Sequence, residues 1–131
     1  MQLPVTAMVA AGCAILLLIL AIDTIRNRLR AKVAFGDGGD TRLTSASRAH
    51  GNLAEHAPIV IIMIGLLEYN NADHAVLRWI GAIFLLGRVA HAIGLYIPSA
   101  PGKAPIPRQI GVVATLGTVA VLAAMLLIGL V

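Results

Sequence analysis

Four long apolar segments, separated by three short polar connections, dominate this 131-residue chain. A helix needs roughly 20 apolar residues to cross the ~30 Å hydrocarbon core of a bilayer. Each segment reaches that length, and the predicted helices cover about 5–30, 42–69, 75–97 and 107–131. Apolar residues make up 59% of the chain, well above the share in a soluble domain. We therefore expect an all-α integral membrane protein, folded as one four-helix domain over residues 1–131.

The formal net charge of +4 comes from basic residues that cluster beside the apolar segments. They do not form the aromatic-interleaved stripe typical of a nucleic-acid surface, so no nucleic-acid partner is expected. Topology and anionic membrane lipids explain these charges better. No Cys or carboxylate cluster has the spacing of metal ligands, so no metal site is expected. Cys13 stands alone in an apolar run, which excludes an intramolecular disulfide.

The basic residues are unevenly distributed over the three connections. The first connection and its flanks carry Arg26, Arg28, Arg30, Lys32, Arg42 and Arg48. The third carries Lys103 and Arg108, whereas the second carries only Arg78. The positive-inside rule then places the first and third connections in the cytoplasm and both termini outside it.

The start of the second segment is unusually polar for a membrane helix. Residues 48–58 read Arg-Ala-His-Gly-Asn-Leu-Ala-Glu-His-Ala-Pro. Arg48, Asn52 and Glu55 are spaced i, i+4 and i+7, so they share one face of a helix. A charge inside a bilayer costs roughly 3 kcal/mol or more, and an ionisable residue in a spanning helix is therefore a candidate functional residue.

The second and third helices form a predicted hairpin whose turn is centred after Asn71. Residues whose numbers add up to 143 then lie at the same depth, which pairs Glu55 with Arg88 and Asn52 with His91. Glu55 and Arg88 each lie ~20 Å from the turn at ~1.5 Å per residue, within the apolar layer. We therefore predict an ion pair between them that faces the bundle interior.

Two interpretations of this polar set stay open. A Glu–Arg pair with a nearby Asn and His can serve interhelical packing alone. The number of polar groups at the predicted cytoplasmic mouth favours a ligand site instead, and the set comprises Arg48, Asn52, Glu55, Arg88, His91 and Arg108. Arginines outnumber carboxylates in this set, and the unmatched positive potential suits a small anionic ligand with carboxylates or a thiolate.

The polar motif at 48–58, together with Gly-Arg-Val-Ala-His at 87–91, resembles the MAPEG family, the membrane-associated proteins in eicosanoid and glutathione metabolism. The Gly-Asp-Gly-Gly-Asp turn at 36–40 is similar to that of the small bacterial members, and the four-segment layout agrees. The resemblance implies a homotrimer of four-helix bundles, in a bacterial inner membrane, with glutathione as co-substrate bound between adjacent subunits near the cytoplasmic side.

The resemblance also implies the residues of that site. The family's glutathione-binding positions fall on Arg48, Asn52, Glu55, Arg88, His91 and Tyr96, and on an Arg late in the first helix. Arg26 and Arg30 share a face there, and Arg30 is the favoured match of the two. The family Tyr usually stands four residues after the His, where this chain has Leu95, so Tyr96 is displaced by one position. The Arg that stabilises the thiolate in the enzymes matches Arg108, which is therefore the predicted catalytic residue. Pro107 beside it suits the first turn of a helix, whose exposed N–H groups favour an anion.

The implied function is that of a glutathione transferase or peroxidase acting on hydrophobic electrophiles or peroxides, which reach the site from the bilayer. Gly51 stands where some eicosanoid enzymes carry a basic residue, and no Tyr follows Arg108, which argues against eicosanoid specificity. One alternative is a non-catalytic glutathione- or lipid-binding protein of the same fold. Another is a small proton-coupled drug exporter, but such a protein should carry a carboxylate within Ala14–Leu20, where this chain has none.

A few further residues have predicted structural roles. Asp40 or Thr41 is positioned to cap the second helix. Glu68 is interpreted as an interfacial carboxylate, and His56 as a packing residue. Small residues on the fourth helix predict close contacts with neighbouring helices, and these are Gly111, Ala114, Thr115 and Thr118.

Overall fold

The computed structural model describes residues 2–100 and 102–129. This part of the chain forms four helices, α1 (Pro4–Ala31), α2 (Thr41–Tyr69), α3 (His74–Tyr96) and α4 (Ile106–Ile128). Each begins one residue before its predicted start, and the predicted end of α4 at residue 131 lies outside the described residues. All four are long and apolar enough to cross a membrane, so the predicted all-helical, multi-pass fold is confirmed.

Helices α2 and α3 form the centre of the bundle. Each of them packs against the three other helices, whereas α1 and α4 do not contact one another. The fully buried side chains at the centre include Val9, Leu53, Ile64, Phe84 and Leu122. The outer surface carries many exposed apolar side chains, as expected where acyl chains replace water around the protein.

The connection between α1 and α2 is held by two aspartates. The Asp40 carboxylate accepts a 2.7 Å hydrogen bond from the backbone N–H of Leu43, which confirms Asp40 as the cap of α2. Asp37 accepts hydrogen bonds from the N–H of Gly39 and the hydroxyl of Thr44, at 3.1 and 2.8 Å. These bonds favour the ionised carboxylate and lower the pKa of Asp37.

The start of α1 is capped by a residue of another helix. Glu68, near the end of α2, accepts hydrogen bonds from the N–H groups of Val5 and Thr6, both at 2.8 Å, and from the Thr6 hydroxyl at 2.7 Å. Leu3, at the N-cap position of α1, supplies no side-chain bond. Glu68 is only 4% exposed, and it joins α1 to the α2–α3 hairpin more specifically than the predicted interfacial role implied.

Helices α3 and α4 approach each other closely because glycines face each other across the interface. A Cβ atom added at Gly111 would lie only 2.6 Å from the carbonyl oxygen of Gly87 and 2.5 Å from Cβ of His91. A Cβ added at Gly94 would collide with the backbone of Arg108. The predicted small-residue contacts of α4 are thereby confirmed, and they bring the start of α4 onto the end of α3.

Candidate functional site

The predicted ligands on α2 lie on its outward face. Arg48 and Glu55 are exposed on the single chain, and Asn52 is partly exposed. The same face continues toward the other end of the helix with exposed Ile59 and Ile62. We call this line of five side chains the α2 stripe. Its polar part lies toward the start of α2 and its apolar part toward the end.

The charged members of the α2 stripe lack an ion-pair partner in the described residues. In the described ranges, neither Arg48 nor Glu55 has an ion-pair partner within 4.0 Å, since the two ion pairs found there involve other residues. The Asn52 amide donates only to the carbonyl of Arg48, at 3.1 Å, one helical turn earlier. The polar part of the stripe therefore presents one cation, one carboxylate and one amide to whatever surrounds the chain.

The predicted Glu55–Arg88 ion pair is wrong for the single chain. Arg88 lies inside the bundle with 3% of its surface exposed, whereas Glu55 points outward from α2. Their charged groups are more than 4.0 Å apart, although they act on each other electrostatically at longer range. The hairpin register sets the height of a residue along its helix, but it does not set the direction of the side chain, and that direction separates these two.

Arg88 and His91 form an interior polar pair beneath α4. The Arg88 guanidinium donates a 3.0 Å hydrogen bond to the hydroxyl of Thr115, which in turn donates to the carbonyl of Gly111 at 2.8 Å. His91 is 4% exposed, and its ring lies beside the backbone of Arg108 without a well-formed hydrogen bond at either nitrogen. The pair therefore holds positive charge and unused hydrogen-bonding capacity in the protein interior, where polar groups are normally satisfied.

Arg108 lies at the mouth of the bundle, in the first turn of α4. It is half-buried and lines a cleft of about 760 Å³ together with Ser99, Lys103 and Gln109. Two cationic side chains, those of Lys103 and Arg108, thus line the same space. This arrangement suits an anion, and the cleft is lined by neither the α2 stripe nor the interior pair.

A comparison with known protein families shows which family this chain belongs to. The profile of the MAPEG family matches residues 6–128. The chain belongs to the MAPEG family. This confirms the resemblance found in the polar motifs, and the matched range also includes most of α1 and all of α4, whose residues offered little beyond hydrophobicity.

Named relatives of this MAPEG chain occur in Escherichia coli. The inner membrane protein YecN of strain K12 is 38% identical over 92 residues, which cover 70% of this chain and 70% of YecN. YecN of Escherichia coli O6:H1 matches with the same identity and coverage. No solved structure matches the chain. The names of these relatives state a membrane location and no reaction.

Two of the predicted glutathione ligands already have partners within the MAPEG chain. Arg30 donates to both oxygens of the Asp40 carboxylate, at 2.7 and 2.8 Å. The hydroxyl of Tyr96 donates to the carboxylate of Asp23 on α1. Their roles in ligand binding stay predictions, and either residue would have to exchange a present partner for the ligand.

The single MAPEG chain thus arranges the predicted site in three groups. The α2 stripe faces outward, the interior pair Arg88 and His91 lies between the helices, and Arg108 stands above that pair at the mouth. The sequence reasoning missed Thr115 as a partner of Arg88, although a hydroxyl among small residues on an apolar helix was the available signal. In the described ranges, no group of three or more His, Cys, Asp or Glu side chains is placed to hold a metal ion.

Proposed function

We propose that this protein resides in a bacterial inner membrane, assembles as a homotrimer and binds glutathione between adjacent subunits near the cytoplasmic side. The α2 stripe carries this proposal, because neither its Arg nor its Glu forms an ion pair within 4.0 Å in the described part of its own chain. Facing lipid, each charge would cost roughly 3 kcal/mol. A neighbouring subunit that covers the stripe and a charged ligand that pairs with it remove that cost. The name of the YecN relatives supports the membrane.

The chemistry of glutathione fits the charges that the stripe presents. The tripeptide has two carboxylates, one ammonium group and one thiol. Arg48 suits a carboxylate through paired hydrogen bonds, Glu55 suits the ammonium group, and Asn52 can both donate to and accept from the peptide backbone. Arg88 and His91 lie behind the stripe, and Arg88 adds positive potential there. In the proposed orientation, both termini of the protein face away from the cytoplasm.

Arg108 would hold the thiolate in this proposal. A cation and a helix N-terminus both favour the deprotonated sulfur over the thiol. The thiolate then attacks an electrophilic carbon of a hydrophobic substrate and forms a thioether, and the displaced group leaves with the bonding electrons. With a hydroperoxide, the thiolate attacks the terminal oxygen, the O–O bond breaks, and the alkoxide leaves as an alcohol after protonation. The thiol of a second glutathione then attacks the sulfur of the resulting sulfenic acid, which forms a disulfide and releases water.

Calorimetric titration of glutathione into the protein in nanodiscs tests the binding step. We expect saturable binding, a loss of affinity of about tenfold or more in Arg48→Ala, equal to ~1.4 kcal/mol, and a similar loss in Glu55→Gln. Arg78→Ala is the matched control, since Arg78 is an exposed arginine outside the candidate site, and it should bind normally. Absence of binding at millimolar glutathione, or equal losses in the control, would refute the site. Native mass spectrometry of the same samples should show trimers.

The catalytic step has its own readout. The bound protein should show the ultraviolet absorbance of a thiolate, and Arg108→Ala should abolish that absorbance while trimers persist. Conjugation and peroxidase assays with hydrophobic substrates then test turnover. Binding without thiolate formation or turnover would instead establish the non-catalytic alternative. The family match gives no support to the exporter alternative.

A further inference from the structure

Two clefts meet at the side chain of Tyr96, the last residue of α3. The first, of about 470 Å³, lies against α1 and is lined by Ile19, Leu20, Ile22, Asp23, Arg26 and Tyr96. We call it the bilayer-side cleft, because its apolar wall belongs to the membrane-spanning part of α1. The second, of about 750 Å³, is lined by Tyr96 together with Thr41, Arg42, Ser45 and Ser99 among others. We call it the polar cleft.

Tyr96 is the residue shared by the linings of these two clefts, and its hydroxyl reaches across to Asp23 in the lining of the first. Tyr96 is 37% exposed. The bilayer-side cleft combines apolar side chains of α1 with Asp23 and Arg26, and the polar cleft combines hydroxyl and guanidinium groups with apolar residues after the middle of α3, namely Leu95, Ile97 and Pro98. Beyond Tyr96 the helix ends, and Ile97 adopts an extended backbone. A ring at a helix end can swing aside with fewer packing losses than one in mid-helix.

A hydrogen bond fixes the ring in its present position. The Tyr96 hydroxyl donates to one oxygen of the Asp23 carboxylate. The other oxygen accepts from the Asn27 amide at 3.2 Å, and the same amide donates to the Asp23 carbonyl at 2.9 Å. Asn27 is 5% exposed, so the acceptor is itself anchored in the bundle. Asp23, Asn27 and Tyr96 together tie the end of α3 to α1.

We propose that Tyr96 is a gate, latched by Asp23, through which apolar molecules dissolved in the bilayer pass from the bilayer-side cleft into the polar cleft. When the hydroxyl leaves Asp23 and the ring swings out, the two clefts become one passage from the acyl chains to the mouth of the bundle. This device concerns access alone, so it holds whether or not glutathione binds. It also gives Tyr96 a role that is independent of the predicted ligand contact.

The test measures how fast a cysteine placed in the polar cleft reacts with two thiol reagents. Cys13→Ala removes the native cysteine, and Ser45→Cys places a thiol on the far side of the gate from α1. The protein is assembled in nanodiscs, which leave both faces open to water. Two reagents are compared, pyrene maleimide, which partitions into the bilayer, and a charged methanethiosulfonate, which stays in water. The rate of thiol modification is measured for each by mass spectrometry.

Tyr96→Phe keeps the ring but removes the latch. We expect it to raise the rate with pyrene maleimide about tenfold, because a hydrogen bond to a carboxylate biases the closed position by at least that factor. The rate with the charged reagent should change less than about twofold. Asp23→Ala should give the same result, and the double variant should add nothing further, since both changes break one bond. Tyr69→Phe is the matched control at the opposite end of the bundle and should behave as the parent.

Two results would overturn the proposal. An unchanged rate with pyrene maleimide in both latch variants means that Tyr96 does not limit access from the bilayer. An equal rise with both reagents means that the whole end of the bundle has loosened. Circular dichroism and the thermal midpoint of each variant separate a folded open gate from an unfolded protein, and Tyr96→Phe, which conserves the ring, is the variant least exposed to that failure.

Discussion

At the scale of the residue, Glu68 shows how hydrogen bonds from another helix satisfy a buried carboxylate in a membrane helix. It accepts two backbone N–H groups and one hydroxyl at the start of α1, and His74 lies 3.5 Å from the same carboxylate. These donors would otherwise lack partners, since the first N–H groups of a helix have none within the helix. The carboxylate also faces the positive end of the α1 dipole.

Glu68→Ala should therefore destabilise the bundle through the loss of a cap. We expect about 2 kcal/mol, in the range for hydrogen bonds to a charged group, with a lower thermal midpoint in detergent. Thr6→Val, which removes only the hydroxyl donor, should cost less than half as much. A thermal midpoint in Glu68→Ala equal to that of the parent would show that the cap does not stabilise α1.

At the scale of the element, the α3–α4 interface determines where Arg108 stands. Gly94 lets the first turn of α4 lie directly on α3, and Gly111 lets the helices stay close one turn later. The close approach is what allows Arg88 to reach the hydroxyl of Thr115. Interfaces of this kind rely on small residues, because membrane helices gain little from burying apolar surface away from lipid.

Gly111→Ala tests this interface with a single methyl group. The new Cβ has no room beside the Gly87 carbonyl, so α4 must shift, and we expect a loss of about 1–3 kcal/mol, the usual cost of overpacking. Gly117→Ala is a matched control on the same helix, where an added Cβ meets no atom within 4 Å. It should be neutral or stabilising by up to about 1 kcal/mol. The midpoint of thermal unfolding is measured for both variants. An equal change of the midpoint in the two variants would contradict the role of Gly111 in the α3–α4 interface.

At the scale of the whole molecule, the outward faces of the helices differ in polarity. The exposed charges of α1, Arg26 and Arg30, lie in its last turns and the rest of its exposed face is largely apolar, whereas the α2 stripe exposes Glu55 at the middle of its helix. A lipid environment suits the first kind of surface and penalises the second. In the proposed trimer, the α2 stripes of the subunits lie against one another, and their charges are thereby removed from contact with lipid.

Cysteine cross-linking tests that placement. In a Cys13→Ala background, Ile62→Cys in the apolar part of the α2 stripe should form covalent dimers on mild oxidation in the membrane. Ile15→Cys, an equally apolar and exposed position on α1, is the control and should remain monomeric on a denaturing gel. Cross-linking of both positions, or of neither, would contradict the α2 stripe as the subunit interface.

Several features of this protein follow from the sequence alone. The number and extent of the helices follow from the length of the apolar segments, because a bilayer leaves a chain no other way to satisfy its backbone. The family follows from the motifs at 48–58 and 87–91, and the cap at Asp40 from local turn chemistry. Each of these depends on residues close together in the chain.

Only the tertiary structure decided how the polar side chains are distributed around the bundle. The hairpin register placed Glu55 and Arg88 at one height, yet one faces outward and the other inward, because the rotation of each helix is set by packing against all its neighbours. The contacts of Glu68 with α1 and of Tyr96 with Asp23 join residues more than 60 positions apart. Such contacts depend on how whole helices pack, and no pattern within a single helix determines that packing.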